Sequence, residues 1–367
     1  MRVAYVQDWF TVDGGAEKVT REILRLFPGA DLFSLVDFMD DKVRADVLGG
    51  KKGKTSFIQH LPMARKAYRW YLPLFPKAIE SLNVDKYDLI ISSSYSVAKG
   101  IRTNSNQKHL CYCHSPIRYA HDLKNEYLRD LSSNKLIRWL MNLQLERIAR
   151  WDISTSERVD CYIANSGNVQ ERIARLYGRK SEVIYPPVDL SEFHIGTKTD
   201  YYLASSRQVA YKRTDIIIEA FKQMPDKKLI VTGNGPELQY LKKLGAKSEN
   251  ILIKGQVPRE ELIELMTGAK AFINASNEDL GLSIVEALAS GTPIIAFKKG
   301  GALETTEEGV SAVYFDQQES SSVMVAVNQF ERIKLADPKA LREKAEAFGA
   351  ERFQREFKDA VNLCLVS

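Results

Sequence analysis

Asn277-Glu278-Asp279-Leu280-Gly281-Leu282-Ser283-Ile284-Val285-Glu286-Ala287-Leu288-Ala289-Ser290-Gly291-Thr292-Pro293 is the stretch on which the reading of this chain turns. Ala271–Ala275 just before it reads as a strand, and Ser283–Ser290 inside it as a short apolar helix. Gly281 allows a tight approach, and backbone amides at the start of a helix favour an anion. Glu278 and Glu286 stand eight positions apart, across a strand, a glycine loop and a helix start. Glu286 falls between Val285 and Ala287, where an unpaired carboxylate is costly, so a hydroxyl or cation partner is expected. Taken singly, Glu278 also reads as a solvated loop acid and Glu286 as a structural salt-bridge carboxylate.

Outward from this stretch, short apolar runs alternate with amphipathic ones. Strands are expected at Arg2–Gln7, Asp31–Val36, Asp88–Ser93, His109–Cys113, Asp160–Asn165 and Glu182–Tyr185. A second series covers Tyr201–Ser205, Lys228–Thr232, Asn250–Ile253, Ala271–Ala275, Pro293–Ala296 and Ala312–Phe315. Helical runs lie between them, so the fold class is α/β with parallel sheets covered on both faces. Pro186-Pro187-Val188-Asp189 marks the break between two such units, because two prolines stop a strand and fix an extended connection. Pro338–Ser367 reads as two more helices.

The chain has 367 residues, 44 % of them hydrophobic and 27 % charged. That suits two domains with sizeable cores and excludes intrinsic disorder. No run of about 20 apolar residues is present to span a membrane, and Met1–Val6 reads as a strand rather than a signal peptide. Cys111, Cys113, Cys161 and Cys364 are too few for a disulfide scaffold and are expected to be reduced thiols of a cytoplasmic protein. Net charge is +5, concentrated in the first half. Between Lys51 and Lys77 there are seven Lys or Arg and no acid, with Tyr68, Trp70, Tyr71 and Phe75 interleaved. Such a segment suits an anionic membrane surface or a diphosphate, or else is a solvated basic face. No recognition motif accompanies it, so nucleic acid is not an expected partner.

Two further places carry chemistry. Asp13-Gly14-Gly15-Ala16-Glu17 follows the first strand, where glycine lets amides approach a ligand. The third glycine of the dinucleotide fingerprint is absent, which argues against a nicotinamide dehydrogenase. Arg207 and Lys212, in Ser205-Ser206-Arg207-Gln208-Val209-Ala210-Tyr211-Lys212-Arg213, could hold a diphosphate and neutralise a departing one. Surface ion pairing is the alternative for both.

Together the two spaced glutamates, Asp279-Leu280-Gly281-Leu282, the run Glu286–Ala296, the Arg207/Lys212 pair, Gly14-Gly15 and the double-proline linker resemble the signature of glycosyltransferase family 4. Leu280 stands where that family often has Phe. The resemblance implies a GT-B fold, two Rossmann-like domains facing across a cleft, with a C-terminal helix crossing back to the first domain. The domains would be 1–188 for the acceptor, 189–347 for the nucleotide sugar, and 348–367 for the returning helix. It implies retention of anomeric configuration. Arg207 and Lys212 would hold the donor diphosphate, Glu278 the sugar hydroxyls, the Leu280, Gly281 and Leu282 amides sugar or phosphate, and Glu286 the ribose. Gly14 and Gly15 would approach the donor phosphate, and the backbone at Gly255 and Val257 would contact the base.

The segment Cys113-His114-Ser115-Pro116-Ile117-Arg118-Tyr119-Ala120-His121-Asp122 resembles one in bacterial mannosyltransferases. These use GDP-mannose and build surface polysaccharides such as O-antigen on lipid-diphosphate carriers. By that resemblance His114 would touch the transferred sugar and Arg118 would help bind the donor. The histidines lack metal-like spacing and no Asp-x-Asp occurs, so no metal or cofactor is expected. The expected place is the cytoplasm, peripheral on the inner membrane face. Rivals are a UDP- or dTDP-sugar donor on the same fold, a nucleotide-sugar epimerase, and a non-catalytic nucleotide-sugar-binding subunit.

Overall fold

The computed structural model describes residues 1–131 and 134–366. The chain forms two units that divide between Pro187 and Val188. Unit 1 is Met1–Pro187 with the segment from Phe353 onward, and unit 2 is Val188–Arg352. Both are parallel sheets with helices between the strands, the Rossmann-like arrangement.

Among its described residues unit 1 has seven strands, β1 (Val3–Gln7), β2 (Asp31–Ser34), β3 (Lys54–Thr55), β4 (Leu89–Ser94), β5 (Lys108–Cys113), β6 (Cys161–Ala164) and β7 (Ser181–Val183). Their order is β3-β2-β1-β4-β5-β6-β7. Alternate residues serve opposite faces, as strand geometry dictates. Ala4, Val6, Phe33 and Ile90 join one core cluster. Val3, Tyr5, Leu32, Leu89 and Ile91 join the other.

That second cluster is completed from far along the chain. The helix Ala350–Val366 contributes Phe353, Phe357, Val361 and Cys364, an apolar stripe at helical spacing. Tyr112 of β5 meets the Phe353 and Phe357 rings at 5.8 and 6.4 Å between centroids. The same packing corrects the cysteine expectation. Cys161 and Cys364, 203 positions apart, form a disulfide with Cα atoms 6.0 Å apart. Only this long-range packing brings the two within bridging distance, so cysteine count and spacing could not reveal the pair. Cys111 and Cys113 remain buried thiols. Titration of the unfolded, unreduced chain is expected to give two thiols, and four after reduction; four without reduction would contradict the bridge.

Unit 2 has β8 (Tyr202–Ser205), β9 (Leu229–Thr232), β10 (Ile251–Gly255), β11 (Ala271–Asn274), β12 (Ile294–Phe297) and β13 (Ala312–Phe315), in the order β10-β9-β8-β11-β12-β13. The helices Thr214–Lys222 and Ser320–Phe330 cover one face through Ile217, Phe221, Val323 and Val327. In such sheets ligands bind outside the carboxyl ends of the strands where the order reverses. Here the reversals lie between β8 and β11 and, in unit 1, between β1 and β4. No described helix is long and apolar enough to cross a membrane.

Candidate functional site

In unit 2 the chain leaves β8 through Ser206–Val209 into a 3-10 turn, Ala210–Lys212, before the helix Thr214–Lys222. Arg213 between them takes φ 53°, a left-handed conformation uncommon for a side chain larger than glycine. The approach to this turn is fixed by glycine. A Cβ on Gly233, at φ +112°, would lie 1.8 Å from the Ser206 carbonyl oxygen. Gln208 reinforces it, its Nε2 donating to the carbonyls of Ser206 (3.1 Å) and Thr232 (2.7 Å).

This turn brings Lys212 to the segment leaving the neighbouring strand. Its Nζ lies 2.6 Å from Glu278 Oε1. Asn274 Nδ2 (3.0 Å) and Ser276 Oγ (2.7 Å) also donate to that oxygen. Burial pushes the Glu278 carboxyl up, but the Lys212 ammonium and these two bonds outweigh it and hold the group below its ordinary value. Glu278 is therefore a carboxylate at neutral pH and can only accept hydrogen bonds. Arg207 is exposed and has no ion pair among the described residues.

The helix after Glu278, Leu282–Ala289, starts at Gly281 with φ 82°, and no side chain caps it. The Ile284 amide already donates to the Gly281 carbonyl at 2.9 Å, whereas the amides that open a helix ordinarily lack partners within it and suit an anion. Leu280 is buried beneath the loop. Gly301 donates its amide to the Glu278 carbonyl at 2.8 Å, and a Cβ there would stand 2.2 Å from the Leu280 backbone. Strand β11 lies wholly before Glu278, so the two glutamates are separated only by the loop and the start of the helix, without an intervening strand. Glu286 is 6 % exposed. Arg259, just beyond Val257 and Pro258 at the exit of β10, donates to it at 3.1 Å and to Glu192 at 2.6 Å. Gly255 ends β10 at φ 76°, its carbonyl accepting from the Gly233 amide at 2.8 Å; Val257 is half-buried.

Unit 2 thus brings Arg207, Lys212, Glu278, Leu280, Gly281 and Leu282 to the β8/β11 reversal. Glu286, Gly255 and Val257 lie on adjoining segments linked through Arg259. Sequence reasoning missed Arg259, Asn274, Ser276 and Gly301. The one available signal was the demand of a buried Glu286 for a partner, which did not say where that partner would come from.

Unit 1 shows a parallel arrangement. Gly14 caps the helix Gly15–Leu26. Its amide donates to Glu17 Oε2 at 3.1 Å, and Gln7 Nε2 donates to Glu17 Oε1 at 2.9 Å. Burial pushes Glu17 up to about 7, with the Gly14 amide opposing. Asp8 fastens β1 to β4 by accepting from the four backbone amides of Tyr95–Ala98 at 2.6–3.0 Å. His114 follows β5 directly. Its Nε2 lies 2.8 Å from Ser93 Oγ, and its ring packs edgewise on Tyr95 and Tyr112. Burial pushes it down to about 3, so His114 is a neutral hydrogen-bonding group near pH 7. Arg118 is half-buried in the turn that follows.

These groups make opposing contributions to acid stability. His114, and His109 pushed by burial to about 4, lose stabilisation as pH falls below their unfolded value near 6.5. Glu17 has the opposite sign, because its raised folded value makes it stabilising as pH falls toward its unfolded value. Glu17→Gln is therefore expected to increase the loss of unfolding stability between pH 7 and pH 5, by up to about 1.4 kcal/mol per pH unit. Urea titrations at the two pH values check it; an unchanged difference would show that Glu17 does not titrate there.

No cluster of three or more His, Cys, Asp or Glu among the described residues is placed to hold a metal ion. Two family profiles match the chain, "Glycosyltransferase Family 4" over residues 13–192 and "Glycosyl transferases group 1" over residues 189–348. A GDP-mannose-dependent alpha-(1-6)-phosphatidylinositol monomannoside mannosyltransferase of Mycolicibacterium smegmatis is 30 % identical over 149 residues, 36 % of this chain and 38 % of that one. The GtfA subunit of a UDP-N-acetylglucosamine–peptide N-acetylglucosaminyltransferase of Streptococcus pneumoniae is 24 % identical over 236 residues, 60 % of this chain and 44 % of that one. The matches span less than half the length of these relatives. Among solved structures, Anabaena HepE in complex with UDP superposes with a TM-score of 0.71 at 18 % identity, covering 99 % of this chain and 100 % of that one.

Proposed function

Because the chain belongs to the glycosyl transferases that join a family 4 domain to a group 1 domain, we propose that it moves a hexose from a nucleotide sugar to a lipid-linked or oligosaccharide acceptor, with retention at the anomeric carbon. The observation that carries this reading is the Lys212–Glu278 pair, set beside the exposed Arg207 and the uncapped helix at Gly281. It offers cations and amides for a diphosphate and an ionised carboxylate for sugar hydroxyls, all at one strand-order reversal.

In this reading Arg207 and Lys212 hold the diphosphate, and the Leu280, Gly281 and Leu282 amides face sugar or phosphate. Glu278 orients the sugar and Glu286 the ribose, while the backbone at Gly255 and Val257 meets the base. For unit 1 taken by itself, the groups proposed to meet substrate are Gly14, Gly15, neutral His114 and Arg118. The bond from the anomeric carbon to the phosphate oxygen breaks as the acceptor oxygen bonds that carbon on the same face. The departing phosphate takes the acceptor proton, so no side-chain base is needed. Positioning and charge stabilisation supply the acceleration, the two cations meet the developing charge, and no metal ion takes part.

The favoured donor is GDP-mannose, supported by the relatives named for it, and the acceptor class is that of bacterial surface polysaccharide synthesis at the inner membrane face. A UDP-sugar donor is the second reading, supported by fold neighbours solved with UDP and UDP-glucose. A thermal-shift panel of GDP, UDP and dTDP sugars tests the donor. GDP-mannose is expected to stabilise most, with nucleotide release that requires an acceptor and withstands EDTA. No stabilisation by any nucleotide sugar would reject the reading, and acceptor-independent conversion of the sugar would favour an epimerase.

A further inference from the structure

Two segments of unit 1 leave large apolar side chains in water. In the first, Ala64, Ala67, Tyr68, Leu72 and Phe75 face the core while Met63, Trp70 and Leu74 are exposed, Trp70 by 77 %. Arg65, Lys66, Arg69 and Lys77 are exposed around them, and no acid occurs from Lys51 to Ile79. The second is the start of the helix Lys135–Ser154, which reaches the core only from Leu145 onward. Before that, Leu136, Ile137, Trp139 and Leu140 are exposed by 45–63 %. Their spacing places them on one face. Lys135 and Arg138 lie among them, with no acid from Asn134 to Leu145.

The two segments belong to one side of the sheet. Tyr68 and Leu72 from the first, and Leu145 and Ile148 from the second, pack into the same core cluster. A chain of ring contacts connects the first of them to His114. Tyr68 lies tilted against Trp9 at 5.4 Å, Trp9 meets Tyr95 edge-on at 5.0 Å, and Tyr95 meets His114 edge-on at 5.9 Å between ring centroids.

We propose that Met63, Trp70 and Leu74, with Leu136, Ile137, Trp139 and Leu140, form a docking surface that inserts into an anionic lipid bilayer. Charge decides the occupant. A second copy of this surface would set cations against cations, whereas anionic headgroups complement them while the Trp and Leu side chains enter the boundary with the acyl chains. Trp is well suited to that depth because its ring is apolar and its N–H polar. The surface stands independently of the transferase reading. Its use rests on that reading, since it would present a lipid-diphosphate acceptor beside His114.

The test is flotation of the full chain with vesicles of phosphatidylcholine alone or mixed with phosphatidylglycerol, together with tryptophan emission. The wild-type chain is expected to float only with the anionic vesicles, with emission shifted to the blue. Trp70→Ser/Trp139→Ser and the reversal Arg65→Glu/Lys66→Glu/Lys135→Glu/Arg138→Glu are each expected to weaken flotation by roughly tenfold or more. Both variants should keep the wild-type unfolding midpoint and its nucleotide-sugar thermal shift, which separates failure of this surface from failure of the functional reading. Absence of wild-type flotation, equal flotation with uncharged vesicles, or undiminished flotation of folded variants would overturn the proposal. Self-association of the wild type that both variants abolish would assign the surface to a second copy and overturn it too.

Discussion

Lys212→Ala is expected to lower kcat/KM for sugar transfer by about 30- to 900-fold, the equivalent of about 2–4 kcal/mol of transition-state stabilisation. That is the scale of losing one preorganised group opposite a developing negative charge. Arg207→Ala is expected to show a similar loss of rate, yet the two variants should separate in stability. Arg207 is exposed and its removal strands no partner. Lys212 is the ammonium that holds the mostly buried Glu278 carboxylate low, so its removal also lowers the unfolding midpoint. Adding Glu278→Gln to Lys212→Ala should recover stability without recovering turnover, because it removes the stranded charge but supplies no cation. Near wild-type turnover in Lys212→Ala, at saturating and at low donor, would remove Lys212 from the reaction.

Phe357→Ala is expected to destabilise unit 1 by about 3–5 kcal/mol, the range for emptying a buried aromatic site. Phe357 is fully buried, stacked on Phe353 at 5.6 Å and packed against Tyr112. The core it fills belongs to strands that end at Val183. Chemical unfolding followed by the burial of Tyr112 would show the loss in unit 1. A variant losing less than about 1 kcal/mol would mean that the helix is held by its disulfide rather than by its stripe.

Much of this architecture could be read from local pattern. Apolar runs of strand length alternating with helical ones sufficed for two parallel sheets, and Pro186-Pro187 stands where the units divide. Lys212 and Glu278 could be singled out because each follows a strand, which is where parallel sheets expose ligand-binding loops. What local pattern lacked was long-range adjacency. Nothing near Glu286 pointed to Arg259, nothing near Cys161 to Cys364, and nothing near Leu280 to Gly301, because each partner arrives through the fold. Strand β3 escaped for a different reason. Its two residues, Lys54 and Thr55, carry no apolar run, as suits a short edge strand protected by charge. The docking residues of the helix Lys135–Ser154 were invisible as well, since an apolar helical face ordinarily points inward and only exposure distinguishes one that does not.

The return of residues 353–364 to the first sheet has a consequence for biosynthesis. A nascent chain leaving the ribosome displays all seven strands of unit 1 while the groove destined for Phe353, Phe357 and Val361 is still empty, and every strand and interstrand helix of unit 2 emerges before it can be filled. The unit translated first is therefore the one finished last, and its bare apolar groove is the surface a chaperone would need to shield in the interval.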